Sequence, residues 1–261
     1  MGPTIHLVRH AQGWHNLEAG VRDDDPFSLP DPDLTPEGES QCLTLMSEFP
    51  YHSRISLLVA SPIRRTIYTA LLGFSPEIKR GMRILTLPEA QETSDLPCDT
   101  GSDPEVLLKE FKDKPVDLEL VEPGWNSKKG KWAPTKEALE ERAKWVRKWL
   151  QAKTSGLDED TDVVMVTHGG FLHYLTEDWN GFGQFEGTGW SNTEFRSYNF
   201  ASTADAEENP HFAETQESIQ RRTGNNPELT DMEKIELKLT RDEEEERHEQ
   251  AVPVMNGTAK I

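Results

Sequence analysis

Apolar and polar residues alternate along this chain with two distinct periods. Short apolar runs stop abruptly at polar residues: Ile5-His6-Leu7-Val8 at Arg9-His10, Ile55 to Ala60 at Ser61-Pro62, Arg83 to Leu87 at Pro88, and Asp162 to Thr167 at His168-Gly169. Runs of this length and β-branched content predict buried strands that deliver polar groups from their carboxyl ends. Between them the period lengthens. Thr35 caps a helix with Pro36 in its first turn and Cys42, Leu45, Met46 and Phe49 as its stripe. A second helix follows Ser61-Pro62 through Leu72, with Gly73 expected as its C-cap, and Ser102 to Glu105 reads as a capping box opening residues 106–111. Thr135 caps a strongly periodic helix (Leu139, Ala143, Val146, Leu150), widened by Trp145 and Trp149 and ended by Gly156. A further helix is expected over 171–176, and residues 195–200 alternate like an edge strand. Residues 17–34 read as a loop, and 112–134, with no clear period, as a surface excursion near the mouth of a site. Strands alternating with helices predict an α/β class: a three-layer α/β/α domain with a mainly parallel central sheet.

Composition changes this picture at the carboxyl end. Only 34% of the 261 residues are hydrophobic, and a mean hydropathy of -0.70 is low for a chain that is all core. The polarity concentrates beyond residue 203, culminating in Arg241-Asp242-Glu243-Glu244-Glu245-Glu246-Arg247. A domain over 1–203 followed by an acidic, helix-prone extension over 204–261, partly disordered or packed on the domain, is the expected organisation. The formal charge of -19, from 47 acidic and 28 basic residues, argues against nucleic acid and anionic membranes as partners. A small anionic substrate is compatible with it, because a local arginine cluster outweighs a distant field at short range. Two cysteines, Cys42 and Cys98, make no disulfide framework and point to a reducing compartment. No signal-like start and no apolar run of membrane-spanning length is seen, so a cytoplasmic location is expected. A homodimer is compatible with the sequence.

The polar strand ends are suited to one reaction. Arg9 and His10 follow the first strand, Arg65 the second, and His168 the fourth. Two guanidinium forks and two imidazoles make a receptor for a tetrahedral dianion. One neutral histidine can attack phosphorus in line while the other holds the equatorial oxygens. A carboxylic acid is then wanted to protonate the leaving oxygen, and Glu92, Glu89 and Asp95 lie beyond the third strand. His15 and His173 each sit five residues after a motif histidine, but neither has a carboxylate or cysteine at ligand spacing, so no metal site is expected.

Arg9-His10 with Asn16 six residues after the histidine resembles the opening motif of the histidine phosphatase superfamily, the phosphoglycerate-mutase-like group. Ser61-Pro62-Ile63-Arg64-Arg65-Thr66-Ile67-Tyr68-Thr69-Ala70 is similar to its second signature, Leu34-Thr35-Pro36-Glu37-Gly38 to the start of its first helix, and Val166-Thr167-His168-Gly169-Gly170 to its closing motif. The run from Glu92 through Cys98-Asp99-Thr100-Gly101-Ser102 is similar to fungal mutase-like proteins. The resemblance implies a phosphoglycerate mutase-like fold, His10 as the phosphorylated nucleophile, Glu92 as proton donor, and Arg9, Arg65, His168, Asn16 and Gly169 around the phosphate, with no metal and no cofactor. The chain departs from the family at Ala11, where glycine is usual, and over Gln12-Gly13-Trp14-His15, where mutases hold phosphoglycerate. A phosphomonoesterase acting on a small-molecule phosphate ester is therefore the leading expectation. A phosphoglycerate-type mutase, a non-catalytic scaffold, and an anion pocket recruited to other chemistry are the alternatives.

Overall fold

The computed structural model, which describes residues 2–17, 25–158, 160–179, 182–183 and 187–223, places the four apolar runs side by side in one sheet. The runs are β1 (Thr4–Arg9), β2 (Ile55–Ala60), β3 (Ile84–Thr86) and β5 (Asp162–Thr167). Short β4 (Val116–Asp117) lies outside β3, and β8 (Phe195–Phe200) and β9 (Phe212–Glu214) continue the sheet beyond β1. A separate two-stranded ribbon is formed by β6 (Phe182–Gly183) and β7 (Gly187–Thr188). The seven-stranded order is β4-β3-β2-β5-β1-β8-β9. Strands β4 to β1 in that order pair in parallel, while β8 runs antiparallel to both β1 and β9.

The helices are α1 (Pro36–Glu48), α2 (Arg64–Gly73), α3 (Ser75–Lys79), α4 (Pro104–Glu110), α5 (Lys136–Thr154), α6 (Gly169–Thr176) and α7 (Gln216–Thr223). Strand alternation sorts them into two layers. Val8, Leu58, Ala60, Val164 and Val166 point to a core closed by Leu45 of α1 and its C-cap Phe49, Ile67 and Ala70 of α2, and Leu107 of α4. Their neighbours Ile5, Leu7, Val59, Val163 and Met165 point the other way, onto Ala143, Val146 and Leu150 of α5 and Phe171, Leu172 and Leu175 of α6. The expected three-layer α/β/α arrangement follows from this two-sided burial.

Register decides what meets at the carboxyl edge. Arg9 lies opposite Thr167, Ala60 opposite Val166, and Thr86 opposite Ala60. The four strand ends are therefore level, and the residues after them share one crevice.

Several local expectations are corrected. Residues 195–200 are not an edge, because β9 pairs with β8. The excursion over 112–134 contributes the edge strand β4, whose two residues are too few for periodicity to reveal. Gly73 is the last residue of α2 and Phe74 its cap. The capping box at Ser102 does not form. Asp103 caps α4 without a side-chain bond, and the Ser102 amide donates instead to Asp31 Oδ2 at 2.8 Å. Trp145 is 44% exposed rather than part of the α5 stripe, and Arg142 and Arg147 take the flanking buried positions. Beyond residue 203, β9 and α7 pack on the sheet; the acidic stretch over 224–261 lies outside the described residues, as do residues 18–24 of the first loop. Among the described residues no helix is long and apolar enough to cross a membrane. Both cysteines are buried free thiols, and burial pushes Cys42 up to about 12.

The start of α1 clamps the loop that follows β1. Thr35 Oγ1 accepts from the Gly38 amide at 3.0 Å, and the Thr35 amide donates to the Gln12 carbonyl at 3.0 Å. Gly38 passes so close beneath this loop that a Cβ there would lie 2.1 Å from the Gln12 carbonyl oxygen. Backbone cannot yield as a side-chain tip can, so Gly38→Ala is expected to cost about 1–3 kcal/mol and lower the melting temperature by several degrees. A thermal melt unchanged from wild type would show that α1 does not restrain this loop.

Candidate active site

Arg65 is the hub. It occupies the first turn of α2, immediately after the Ser61-Pro62 turn that ends β2, and is fully buried. Its Nε donates to His10 Nε2 at 3.2 Å, its Nη2 to His168 Nδ1 at 3.1 Å and to Asp99 Oδ1 at 3.0 Å, and its Nη1 to the Cys98 carbonyl at 2.6 Å. The β-strands thus bring together His10, Arg65 and His168, as the sequence leads one to expect, and the two imidazole centroids stand 5.2 Å apart.

The hydrogen bonds specify each tautomer. His10 Nδ1 lies 2.8 Å from the Ala11 carbonyl, an oxygen that can only accept, so Nδ1 carries the proton and Nε2 presents its lone pair. His168 has the opposite tautomer, since Nδ1 accepts from Arg65 and Nε2 donates to Ser61 Oγ at 2.9 Å. Burial, followed by the Arg65 charge, holds both imidazoles well below the ordinary histidine range. At neutral pH both are uncharged. The frame behind them is fixed by backbone: the His10 amide donates to the Thr167 carbonyl at 2.9 Å, and the Ala11 amide to Thr69 Oγ1 at 3.0 Å.

Glu92 lies on the α6 side of the crevice. Its Oε1 accepts from the amides of Thr93 and Phe171, both at 2.9 Å, and its Oε2 from Gly170 at 3.2 Å. A carboxyl can sit this close to the start of α6 only because residue 170 is glycine; a Cβ there would lie 2.6 Å from Glu92 Oε1 and 2.8 Å from Thr93 Oγ1. Burial, with the Asp99 charge second, raises the Glu92 carboxyl above its usual range despite those amides. The two other acids stand elsewhere. Glu89 pairs with Lys131 at 3.3 Å, and Asp95 is exposed.

The remaining expected residues are placed unevenly. Arg9 donates to the Trp190 carbonyl while its Nε is buried without a hydrogen-bond partner among the described residues. Asn16 turns its carboxamide oxygen back on the loop, accepting from the Gly13 amide at 3.0 Å. Gly169 is buried as the first residue of α6, and it is Gly170 that meets the acid. Arg64 leaves the crevice to pair with Asp33 and Glu110. Trp125 packs in the core. Segment 189–193 is tied to the end of β1: Asn192 Nδ2 donates to the His10 carbonyl at 3.0 Å and the Thr193 amide to the Arg9 carbonyl at 3.1 Å.

Four residues here carry no sequence signal of their own. Asp99 joins Arg65, with its other oxygen accepting from Ser94 Oγ at 2.5 Å. His15 places its ring 5.6 Å from that of His10, and burial next to Arg65 and Arg9 drives it down to about 2. Lys128 Nζ and Arg142 Nη2 both reach the Glu92 carbonyl, at 3.2 and 3.4 Å. Burial, then the Arg142 charge, brings the Lys128 ammonium down to about 8.

The comparisons with known proteins agree with this geometry. An Arabidopsis thaliana "phosphoglycerate mutase-like protein" is 31% identical over 66% of this chain and 73% of its own length. A Schizosaccharomyces pombe protein named a probable phosphatase is 34% identical over 41% of this chain and 49% of its own. Among solved structures, a mycobacterial glucosyl-3-phosphoglycerate phosphatase with VO3 superposes with a TM-score of 0.52 at 19% identity, covering 81% of this chain and 97% of that one, which shows a shared fold. With its level strand ends, paired imidazoles and bridging arginine, and with residues 5–206 matching the family model, the chain belongs to the histidine phosphatase superfamily, branch 1.

Proposed function

We propose that this chain hydrolyses phosphate monoesters of small molecules through a covalent phosphohistidine at His10. The observation that carries the reading is the Arg65 guanidinium bridging His10 Nε2 and His168 Nδ1, with the His10 Nδ1 proton held by the Ala11 carbonyl. A lone pair on Nε2, beside guanidinium donors and uncharged, is an in-line nucleophile for phosphorus. The Nε2–P bond forms as the P–O ester bond breaks, and Arg65, Arg9 and His168 carry the equatorial oxygens. Glu92, whose carboxyl burial raises above its usual range, gives its proton to the departing alkoxide. In the second half a water attacks the phosphohistidine, the Glu92 carboxylate takes the water's proton, and inorganic phosphate leaves with His10 restored. The His10–phosphorus bond breaks in this step, the first proton leaves on the alcohol, water's proton restores Glu92, and the cycle calls on no metal.

Hydrolysis is favoured over phosphoryl return to substrate by the loop after His10. Gln12, in the stretch where mutases hold phosphoglycerate, is tied by its amide to Gln41 Oε1 at 2.9 Å and by its own Oε1 to Thr35 Oγ1 at 2.7 Å. The test is turnover of p-nitrophenyl phosphate in excess EDTA. Undiminished rates are expected, and activity abolished by the chelator would refute the metal-free cycle. With 3-phosphoglycerate, free phosphate is expected; 2-phosphoglycerate as the main product would make the chain a mutase.

A further inference from the structure

Arg65 is gripped from the side away from the imidazoles. The lateral edge of its guanidinium, Nε and Nη2, faces His10 and His168. The end edge, Nη1 and Nη2, is taken by two consecutive residues, the Cys98 carbonyl at 2.6 Å and Asp99 Oδ1 at 3.0 Å. The turn carrying these acceptors is itself fastened. Asp99 Oδ2 and the Leu96 amide share the Ser94 hydroxyl, at 2.5 and 3.2 Å, and the Asp99 amide donates to the Leu96 carbonyl at 3.0 Å. A planar fork held at two points loses its freedom to rotate. Residues 94–99 therefore set the direction in which Nε and Nη2 point.

Asp99 is also the counter-ion. Arg65 is fully buried, and among the described residues Asp99 is the one acid within 4.0 Å of it. A buried guanidinium left without a carboxylate is costly. The charge reaches Glu92 as well. Arg9 from β1, Arg65 from α2, Lys128 from the loop before α5 and Arg142 from α5 all act on that carboxyl. The Thr93, Gly170 and Phe171 amides add to them, and every one of these groups favours the carboxylate over the acid. Asp99 acts the other way, while the Cys98 thiol, pushed up by burial to about 12, adds no charge at neutral pH.

Resting on the phosphomonoesterase reading, we infer that Asp99 is a positioning residue for the reaction, holding the Arg65 fork across the two imidazoles and supplying the fixed negative charge that opposes the cations around Glu92. It acts through Arg65 and Glu92 without touching the phosphoryl group. Two consequences differ in sign. A carboxylate 3.0 Å from Arg65 competes with a phosphate dianion for that arginine, so Asp99 weakens phosphate binding. The same charge favours the protonated form of Glu92, so it assists departure of the alkoxide.

The test is Asp99→Asn, which keeps an oxygen for Arg65 and removes the charge. Inorganic phosphate should inhibit the variant about threefold to tenfold more tightly than the wild type. On glycerol 3-phosphate, the alkaline decline of the phosphorylation rate should begin about one pH unit lower, because Glu92 without its anionic neighbour gives up its proton sooner. The burst of p-nitrophenol from p-nitrophenyl phosphate, which needs no donor, should change little. A merely structural role predicts weaker phosphate binding, losses on both esters and a decline at the wild-type pH, and that result overturns the inference. Ser94→Ala retains the charge and frees the carboxylate, so kcat should fall several-fold on both esters with the alkaline decline in place. Should Asp99→Asn fail to fold, a Ser94→Ala chain with wild-type kcat on both esters overturns the inference. If the wild type turns over neither ester, the phosphatase reading falls and this inference with it. Wild-type turnover with the Asp99→Asn outcomes reversed refutes the inference alone.

Discussion

Replacing His10 with alanine is expected to lower phosphate-ester turnover by roughly 10⁴-fold or more, the scale at which an enzyme loses its nucleophile. The size of the effect follows from the geometry. Both imidazoles accept from Arg65, His10 through Nε2 and His168 through Nδ1, but the second ring is pinned on its far side by Nε2 donating to Ser61, so it is not placed to take over the attack. Loss of the ring leaves an arginine-rich pocket that still binds phosphate, so inorganic phosphate should inhibit wild type and bind His10→Ala with comparable affinity. Wild type mixed with substrate and quenched in base should carry a phosphoryl group that acid releases, as a phosphohistidine does, and His10→Ala should carry none. Full turnover by His10→Ala would refute the covalent mechanism, and so would a phosphoenzyme of undiminished yield.

The second large effect is expected at Glu92. For an alkyl phosphate the departing alkoxide is a strong base and needs a proton, so Glu92→Gln should reduce kcat by about 10²–10⁴-fold. For p-nitrophenyl phosphate the phenolate departs unaided, and the phosphorylation step, read as a burst of p-nitrophenol, should fall far less. The pH dependence has a definite sign. Burial and the Asp99 charge raise the Glu92 carboxyl, so the proton donor is populated below that raised pKa and lost as pH climbs through it. The phosphorylation rate on an alkyl phosphate should therefore decline on the alkaline side in wild type, and that decline should vanish in Glu92→Gln. Equal losses on alkyl and nitrophenyl esters would remove Glu92 from proton transfer. Should Glu89→Gln instead reproduce the leaving-group dependence, the donor would be Glu89, in spite of its pairing with Lys131.

Much of this was legible before any coordinates. The strands announce themselves because a strand buried on both faces must be apolar at nearly every position, as Asp162–Thr167 is. The helices after Thr35 and Thr135 announce themselves because their caps and stripes are local, and both threonines do accept from the third residue of their helices. The edges were not legible. A two-residue strand such as β4 has no period, and β9 is recognisable only through its pairing with β8. Ser102 had the right neighbours for a capping box, but its amide was claimed by Asp31 from a distant loop.

The candidate site divides along the same line. By itself the sequence determined that two histidines and two arginines stand at the ends of parallel strands, since an apolar run stopping at a charged residue is a local pattern. Tertiary structure alone decided their company. Asp99 came to Arg65, His15 to His10, and Lys128 with Arg142 to the Glu92 carbonyl, across separations that no periodicity spans. It also selected Glu92 over Glu89 and Asp95 as the carboxyl on the α6 amides, through the missing Cβ of Gly170. The physical reason is one of range. Burial patterns and caps act within a turn or a strand and are written in neighbouring residues, whereas electrostatic company inside a crevice depends on which loops the packed sheet brings within a few ångströms.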